Sequence, residues 1–377
     1  NVYIVSLLGL IIGIIGIYQI KISGSIIEDM PKSAPFFEDI RFFDQSFNGI
    51  VPVEIWLDSK RENGIVKPAT LKRMNELQEV IGEYPELAQP ISVVNAVKFA
   101  KQAYYNGNPN YYSLPTTQEN SFIYPYLSKA NGDSQLLSGY VDSTGQYGRI
   151  TTFMQDIETD RMEIIEAELK KAITKIFPAE RYGVNITGKS LLFLKGTKYL
   201  INNLILSLSL AILLIAFFMA YLFRSFKMIL ISLIPNLLPL IITAGVMGFA
   251  GIPLKPSTIL VFSIAFGISV DDTIHFLAKY RQELISNNWR IKQAVFAALR
   301  ETGISMFYTS VVLFFGFSVF LSSNFGGTQA LGGLVAVTLL MAMLANLILL
   351  PSLLISLEDT ISNDKVLKEP KIEILDQ

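Results

Sequence analysis

Residues 262–280, FSIAFGISVDDTIHFLAKY, form an apolar stretch that carries Asp271, Asp272 and His275 in its second half. A span that ended before Asp271 would be too short to cross about 30 Å of hydrocarbon, because an α-helix rises only about 1.5 Å per residue. Continuing the helix past His275 gives the usual span of about 20 residues. We therefore predict that both aspartates lie within the membrane and face other helices, where ionisable groups are costly and usually functional.

The helical spacing places these groups together. Gly267, Asp271 and His275 are four residues apart and share one face of a helix, and Asp272 lies close to His275. His275 is the only histidine in the chain. Because it also lies near Lys279, at the charged end of the stretch, a functional role for His275 and a simple polar contact at the helix end both stay open.

Half of the chain is apolar, and the apolar residues fall in blocks, a pattern typical of a membrane protein that carries a soluble domain. A net charge of -1 suggests no nucleic-acid partner. The chain has no cysteine, which excludes disulfides, thiolate metal ligands and a thiol nucleophile. The single histidine lies on the membrane stretch and no G-x-S-x-G motif occurs. We expect no enzyme activity and no bound cofactor or metal.

Six transmembrane helices are predicted from the apolar blocks. The first covers residues 1–20, and the other five form a bundle over residues 199–356 that includes the stretch 262–280. The predicted spans of the bundle are 202–223, 228–250, 257–277, 303–321 and 331–354.

Small residues and prolines within these spans indicate how they pack. Gly9, Gly13 and Gly16 form a small-residue face that another helix can approach closely. Pro235 and Pro239 kink the third span and free backbone carbonyls, which neighbouring helices or polar groups must satisfy.

Residues 21–198 are more polar and are predicted to form a soluble domain between the first and second spans. Their pattern predicts strands at 51–58, 91–94, 147–155 and 182–187 and helices at 68–84 and 158–177. Two β-α-β units with antiparallel partners predict a ferredoxin-like α+β domain. Residues 95–138 are predicted as helices and loops rich in aromatic side chains, which could line an apolar ligand path or serve ordinary packing.

The sequence GVNITGKS, residues 183–190, matches the phosphate-binding pattern GxxxxGKS and lies between a predicted strand and a helix. An apolar span follows it, however, instead of the rest of a parallel nucleotide-binding sheet. We therefore interpret this match as fortuitous.

The basic residues predict the topology. The loop FRSFK and residues 279–302 are basic, whereas GIPLKPS has one lysine and SSNFGGT has none. By the positive-inside rule the first two segments are cytoplasmic, as are both termini, including the tail 357–377, and the domain 21–198 is outside. Residues 282–301 are predicted as an amphipathic segment along the inner membrane surface. The chain begins at Asn1 with neither an initiator Met nor a basic n-region, so we interpret it as part of something longer.

The chain resembles the resistance-nodulation-division (RND) superfamily in its layout of one helix, an external domain and five more helices. The resemblance also rests on three segments, namely IPNLLPL, GIPLKPSTILVFSIAFGISVDDTIHFLAKYRQEL and NITGKSLLF. Within it, the chain is most similar to the MMPL-like and Patched-like exporters, and the resemblance covers essentially the whole chain. Such exporters look like two tandem copies of this unit, so the chain resembles one copy, the C-terminal one. Many members have Asp-Tyr where this chain has Asp271 and Asp272.

The resemblance implies proton-driven export of a lipid or another hydrophobic substrate, with Asp271 as a proton-relay residue. Two adjacent carboxylates in low-dielectric surroundings cannot both ionise cheaply, so one is expected to carry a proton. We predict that Asp272, His275, Thr309 and Ser310 belong to the same relay, the last two as polar groups of the fifth span.

The expected partners are membrane lipids, the hydrophobic substrate, a second RND half-unit, and periplasmic or outer-membrane proteins. The second half-unit is either a missing N-terminal half or a second protomer. The expected location is the bacterial inner membrane, with the large domain in the periplasm. Two other functions stay open, namely a proton-driven accessory to protein export and a sterol-sensing-type receptor or scaffold that transports nothing.

Overall fold

A computed structural model describes residues 2–23, 27–130, 139–223 and 225–356 of the chain. The chain divides into two compact units. We call Gly24–Ile27 with Lys32–Gly196 the mixed unit, and Asn1–Ser23 with Glu28–Pro31 and Thr197–Gln377 the helical unit. The predicted tail 357–377 lies outside the described residues.

The described residues form three strands and twelve α-helices. The strands are β1 (Val51–Asp58), β2 (Tyr147–Met154) and β3 (Gly183–Thr187). The helices are α1 (Val2–Ile17), α2 (Pro35–Ser46), α3 (Pro68–Gly82), α4 (Val93–Tyr104), α5 (Asn120–Ala130), α6 (Thr159–Ile176), α7 (Lys189–Phe223), α8 (Phe226–Phe249), α9 (Pro256–Ser286), α10 (Ile291–Ser318), α11 (Gly326–Leu344) and α12 (Leu350–Ser356). A π-helical turn, Ala345–Leu349, joins α11 to α12.

The mixed unit is built on an antiparallel sheet in the order β2-β1-β3. Ile55 of β1 pairs with Ile150 of β2 and Ile186 of β3. Alternate residues of β1 are buried, as the two-residue period of a strand requires. The core contains apolar side chains of the sheet and of helices α3, α4 and α6, among them Ile55, Leu57, Met74, Leu77, Val94, Val97, Ile150, Ile165 and Leu169.

The predicted strands at 51–58, 147–155 and 182–187 and the helices at 68–84 and 158–177 are present to within two residues at each end. The predicted strand at 91–94 is wrong. Ser92 instead caps α4, because its hydroxyl accepts from the backbone N–H of Val94 and Asn95 completes a capping box. Only Ile91 of this segment pairs, with Thr151 of β2, so the described sheet has three strands where four were predicted.

The GVNITGKS segment does not form a phosphate-binding loop. Its first five residues are strand β3, paired with β1, and α7 begins at Lys189. Between them Gly188 has φ +113°, and a Cβ at this position would collide with the carbonyl oxygen of Pro52. The glycine therefore serves the close approach of the chain to β1.

An ion pair ties α4 to the start of α5. Lys101 Nζ lies 2.8 Å from Glu119 Oε2, and both side chains are largely buried. The Glu119 carboxylate also accepts from the backbone N–H of Thr116 at 2.7 Å and from the hydroxyl of Tyr105 at 3.1 Å. The hydrogen bond from Lys101, followed by that from Thr116, lowers the pKa of Glu119 to about 2.

Five described helices are long and apolar enough to cross a membrane, by length and composition. They are Leu191–Tyr221, Phe226–Phe249, Pro256–Ser286, Ile291–Ser322 and Gly326–Ser356. They contain the predicted spans 257–277, 303–321 and 331–354, and they cover 202–223 and 228–250 except for the last two residues of the former and the last residue of the latter. The predicted first span is a shorter apolar helix, since α1 has 16 residues and measures about 24 Å.

The predicted amphipathic segment 282–301 is not a separate element. Its first residues belong to α9, and from Ile291 onwards it is continuous with the fifth span in the single helix α10. No proline interrupts α10, and its apolar residues Ile291 and Val295 are buried in a cluster with Tyr280 and Leu284 of α9. Packing against a neighbouring helix therefore takes up the apolar face that the sequence suggested would contact a membrane surface.

The predicted small-residue face of α1 lies against α8. A Cβ at Gly13 would lie 2.8 Å from the carbonyl oxygen of Ile241, and a Cβ at Gly16 would collide with the backbone of Gly245. Gly248 of α8 contacts Gly16 in the same way. The two backbones thus meet directly, which only glycine on both helices permits.

The glycine contact predicts different effects of two Gly→Ala substitutions on the melting temperature. Gly16→Ala should lower the melting temperature of the detergent-solubilised protein, because the new methyl group pushes α1 away from α8 at a cost of about 1–3 kcal/mol. Gly316→Ala in α10 should leave it unchanged or raise it slightly, since nothing lies within 4 Å of that Cβ. Equal melting temperatures for both variants would contradict the direct contact of α1 and α8.

The Glu119 ion pair predicts a pH dependence. Because the folded pKa of Glu119 lies below its ordinary value of 4.5, its stabilisation is complete above about pH 4.5 and is lost as pH falls towards about 2. Glu119→Gln should therefore destabilise this region by about 1–3 kcal/mol at neutral pH, because it leaves Lys101 buried without a counter-charge.

Hydrogen exchange of residues 93–123, measured in the whole chain, tests this effect. The variant should exchange faster than the wild type at neutral pH, and the difference should shrink as the pH approaches 2. Glu76→Gln, at an exposed position of α3, is the matched control and should change little. A difference that stays constant over the whole pH range would be inconsistent with the low pKa.

Candidate functional site

Asp271 lies at the midpoint of α9, with 15 residues on either side within the helix. The helix begins at Pro256, directly after Lys255, and runs without interruption to Ser286. The predicted helix over the DD pair is therefore confirmed, and the pair is not an end cap.

The two faces of α9 differ sharply. Ser269 and Thr273 are buried inside the helical unit, each with about 1% of its surface exposed. The side chains of Asp271 and His275 are each 73% exposed and point away from the described helices of this unit. The predicted contact of Asp271 with other helices is therefore not made by the described helices of this unit. The helical period is the reason. Residues two positions apart point in directions that differ by about 200° around the helix axis. The pair Ser269 and Thr273 and the pair Asp271 and His275 therefore lie on opposite faces, and only one pair can face inwards.

Asp271 and His275 are neighbours on the exposed face. Asp271 Oδ1 lies 3.6 Å from His275 Nε2, which is an ion-pair distance when the imidazole is protonated and too long for a direct hydrogen bond. Asp272 is half-buried, between this face and the buried one. The sequence therefore placed Asp271 and His275 together correctly, with Asp272 at the margin.

The two predicted relay residues of the fifth span point in different directions. Ser310 is buried, whereas Thr309 is exposed and its hydroxyl donates to the carbonyl oxygen of Ser305 in the same helix at 2.9 Å. Only Ser310 thus faces the interior of the helical unit. A role for either residue in a relay stays a prediction.

The charged end of α9 is paired separately. Lys279 Nζ lies 3.1 Å from Glu283 and also forms an ion pair with Glu301 of α10. His275 has its ionic contact with Asp271, one turn towards the midpoint of the helix.

The buried face of α9 carries a set of polar contacts that the sequence did not single out. We call Asn236, Ser269, Thr273 and Asn346 the amide cluster. Asn236 Oδ1 accepts from Ser269 Oγ at 2.7 Å, and Thr273 Oγ1 lies 3.0 Å from the same oxygen and 2.8 Å from Asn346 Oδ1. Asn346 Nδ2 donates to the carbonyl oxygen of Ser269 at 3.2 Å. The cluster links α8, α9 and the π-helical turn, and both amides are fully buried.

The Thr273 hydroxyl is central to this cluster. It has one proton but lies within hydrogen-bonding distance of three acceptors, namely Asn236 Oδ1, Asn346 Oδ1 and the carbonyl oxygen of Ser269. It can donate to only one of them at a time. The hydroxyl can therefore change partner with little movement of the helices.

Backbone irregularities surround both amides. Asn236 lies in the Pro235–Pro239 segment of α8, and Asn346 lies in the π-helical turn just before Pro351. Proline inside a helix leaves a carbonyl without its usual donor, and π-helical turns occur frequently at functional sites. The two prolines predicted a need for polar partners near α8; they did not predict that Ser269 and Thr273 would provide contacts to Asn236.

The described residues contain no group of three or more His, Asp or Glu side chains that could hold a metal ion. The candidate site therefore consists of the carboxylates and imidazole on one side of α9 and the neutral amide cluster on the other. Such groups can exchange protons and hydrogen bonds.

Five long apolar helices, one of which carries ionisable side chains at its midpoint, define a multi-pass membrane protein. The model of the MMPL family matches residues 75–369, more than three quarters of the chain. The chain belongs to the MMPL family, as the resemblance of its motifs indicated.

The chain is also similar to a protein of Methanocaldococcus jannaschii that is named only as a membrane protein. The two are 29% identical over 126 residues, which is 33% of this chain and 32% of the relative. The match thus spans about a third of the length of this relative, and the two chains are of similar size.

Proposed function

We propose that this protein is a proton-driven exporter of a lipid or another hydrophobic substrate. The position of Asp271 at the midpoint of an apolar, membrane-length helix is the observation that carries the proposal. Membership of the MMPL family supports transport of a hydrophobic substrate. Under this proposal the chain needs no bound cofactor and catalyses no chemical conversion, because the proton gradient supplies the free energy.

The length of α9 supports a membrane position for the aspartates. Its 31 residues measure about 46 Å, whereas the hydrocarbon layer is about 30 Å thick. If α9 spans a hydrocarbon layer of that thickness completely, the layer covers the midpoint of α9 at every position along the helix. Asp271 and its neighbour Asp272 then lie in the hydrocarbon region.

The exposed face of α9 requires a partner under this proposal. A carboxylate that is 73% exposed cannot face lipid tails without a large desolvation penalty. Gly267 lies on the same face, with nothing within 4 Å of its Cβ position, so a second helix could approach closely there. We propose that a second unit of the same kind covers this face.

We propose a second copy of this chain as that unit, because its α9 carries the same small residue, Gly267, beside the same ionisable groups. Two copies related by a two-fold axis would place α9 of one against α9 of the other. Each Asp271 and His275 would then face the equivalent groups of the partner.

Protonation provides the coupling. Two carboxylates side by side repel each other, and a proton on one of them removes that repulsion and lowers the cost of burial. One charge moved through the membrane potential supplies about 2.3 kcal/mol per 100 mV, which is enough to shift an equilibrium between two conformations. The helix α9 would then repack against α10, at Ser310, and against α8, at the amide cluster.

The strand-to-helix connection suggests how such a shift reaches the substrate. Strand β3 ends at Thr187, and α7 begins two residues later and runs unbroken to Phe223. A displacement of α7 would therefore act directly on β3. We propose that the mixed unit opens or closes a path for a lipid-like substrate in response.

The finer features of the architecture belong to the same proposal. We propose that α1 is a sixth span, that both termini are cytoplasmic and that the mixed unit lies outside the cytoplasmic membrane, in the periplasm of a bacterial host. The order β2-β1-β3 supports a ferredoxin-like topology in which one of the four strands is reduced to a single bridge. That bridge joins Ile91 to the free edge of β2. Periplasmic or outer-membrane proteins would be further partners.

Replacing the central carboxylate tests the function. Asp271→Asn should fold normally and abolish transport, because an amide cannot carry the proton. Transport is measured in proteoliposomes as the proton-gradient-dependent movement of a fluorescent lipid, together with the accompanying change in internal pH. Asp39→Asn, at an exposed position of α2, is the matched control.

Full activity of Asp271→Asn, or lipid movement that ignores the proton gradient in the wild type, would overturn the proposal. A protein-export accessory would share the dependence on Asp271 but would crosslink to secreted polypeptides instead of lipids.

The absence of cysteine makes the proposed partner directly testable. Gly267→Cys should give a disulfide-linked dimer in membranes under mild oxidation, because two copies of this face meet at the axis. Val312→Cys on α10, also exposed, is the control and should stay monomeric. Equal dimer formation at both positions, or none at position 267, would contradict the second copy.

A further inference from the structure

An apolar groove runs between α1, α8 and the π-helical turn, all within the helical unit. Its volume is about 490 Å³, within the range of ligand sites in proteins. We call it the α1–α8 groove. Its lining residues are Val2, Val5, Ser6, Gly9, Leu238, Pro239, Ile242, Met341, Leu344, Ala345, Ile348 and Leu349.

The glycine contact explains why the groove exists and where it ends. The backbones of α1 and α8 touch at Gly13 and Gly16, which closes the groove at that end. Towards its N-terminus α1 is further from α8, and at Gly9 the nearest atom to a Cβ is the side-chain tip of Ile242, at 3.2 Å. The groove is therefore a wedge that narrows from Val2 towards Gly13.

The chemistry of the groove suits a single hydrocarbon chain. Ser6 is the one polar residue among the lining residues. A protein helix is too large an occupant, because a single turn of a helix about 10–12 Å wide already has about this volume. At the wide end, outside the lining, Tyr3 donates to the carbonyl oxygen of Ser352 at 2.8 Å. A lipid would place its tail towards Gly9 and its polar head near these groups.

The walls of the groove also carry the two asparagines of the amide cluster. Leu238 and Pro239 line the groove, and Asn236 lies on the same helix two residues earlier. Ala345, Ile348 and Leu349 line it from the π-helical turn that carries Asn346. The separation of these two walls therefore sets the distance between the two amides that share the hydroxyl proton of Thr273.

We propose that the α1–α8 groove binds one acyl chain of a membrane lipid, and that its occupancy controls the amide cluster. An occupied groove holds α8 and the π-helical turn apart, and an empty one lets them approach. The lipid is thus a regulator that acts from the side of α9 opposite to Asp271. The binding site stands independently of transport, whereas the regulatory effect rests on the proposed function.

Photo-crosslinking tests the binding site. A phospholipid with a photoactivatable group in one acyl chain is incorporated at a low mole fraction into bilayers that contain the full chain, and labelled peptides are mapped by mass spectrometry. Label should concentrate in peptides covering residues 2–9 and 341–349 and should be displaced by unlabelled lipid in a saturable way. Ile348→Trp and Val5→Trp, on opposite walls, should each reduce this labelling at least fivefold.

Val312→Trp, on the exposed surface of α10, is the matched control and should not change the labelling. Labelling spread over α7 and α10 in proportion to exposed surface, with no saturation, would show ordinary contact with bulk lipid and would overturn the site. The melting temperature of each variant shows whether it folds. One folded variant of the two, Ile348→Trp or Val5→Trp, is enough to test the binding site.

The regulatory effect is tested in the same bilayers by measuring lipid movement. The wild-type rate should change at least threefold between bilayers rich in lipids that fit the groove and bilayers poor in them. A folded blocking variant should transport at the same rate in both, because its tryptophan holds the walls apart as an acyl chain does. A wild-type rate that does not depend on these lipids would remove the regulation and leave the binding site. Transport that persists in Asp271→Asn, with labelling intact, would overturn the proposed function and leave the binding site.

Discussion

Polar groups inside a membrane have no water to bind, and this constraint governs the arrangement of α9. On one side of the helix, Ser269 and Thr273 find partners in the two buried amides of α8 and the π-helical turn. On the other side, the side chains of Asp271 and His275 contact each other, and both are largely exposed among the described residues. The polar side chains on the buried face of α9 thus have hydrogen-bond partners within the helical unit, whereas the ionisable side chains on the other face are left uncovered by its described helices. A conformational change and a partner are both suggested by this difference.

The close contact of α1 and α8 shapes the rest of the helical unit. Glycines on both helices allow their backbones to meet at one end, and the helices separate at the other. The same α8 contains Pro235 and Pro239, and a π-helical turn interrupts the last membrane helix. The apolar groove and the amide cluster share these two segments. A ligand on one side of α8 can therefore influence hydrogen bonds on the other.

Much of this architecture could be predicted from patterns that depend on neighbouring residues. The apolar blocks located the bundle, the alternation of β1 located a strand, and the glycine spacing of α1 predicted a close helix contact, because each of these signals reflects a local period. The orientation of α9 could not be predicted in this way. Asp271 and Thr273 are both polar, and only the positions of Asn236 and Asn346, far away in the sequence, decide which of them is buried. Ser92 was misassigned to a strand for a similar reason, since its neighbours are β-branched while its hydroxyl caps a helix.

Infrared difference spectroscopy in lipid bilayers tests the central claim most directly, because it observes protonated carboxyl groups. Between neutral and mildly acidic pH, the wild type should show a protonated-carboxyl band from a site shielded from water, and this band should vanish when Asp271 and Asp272 are both replaced by Asn. A band that is absent from the wild type, or that persists unchanged in the double variant, would contradict proton exchange at the midpoint of α9.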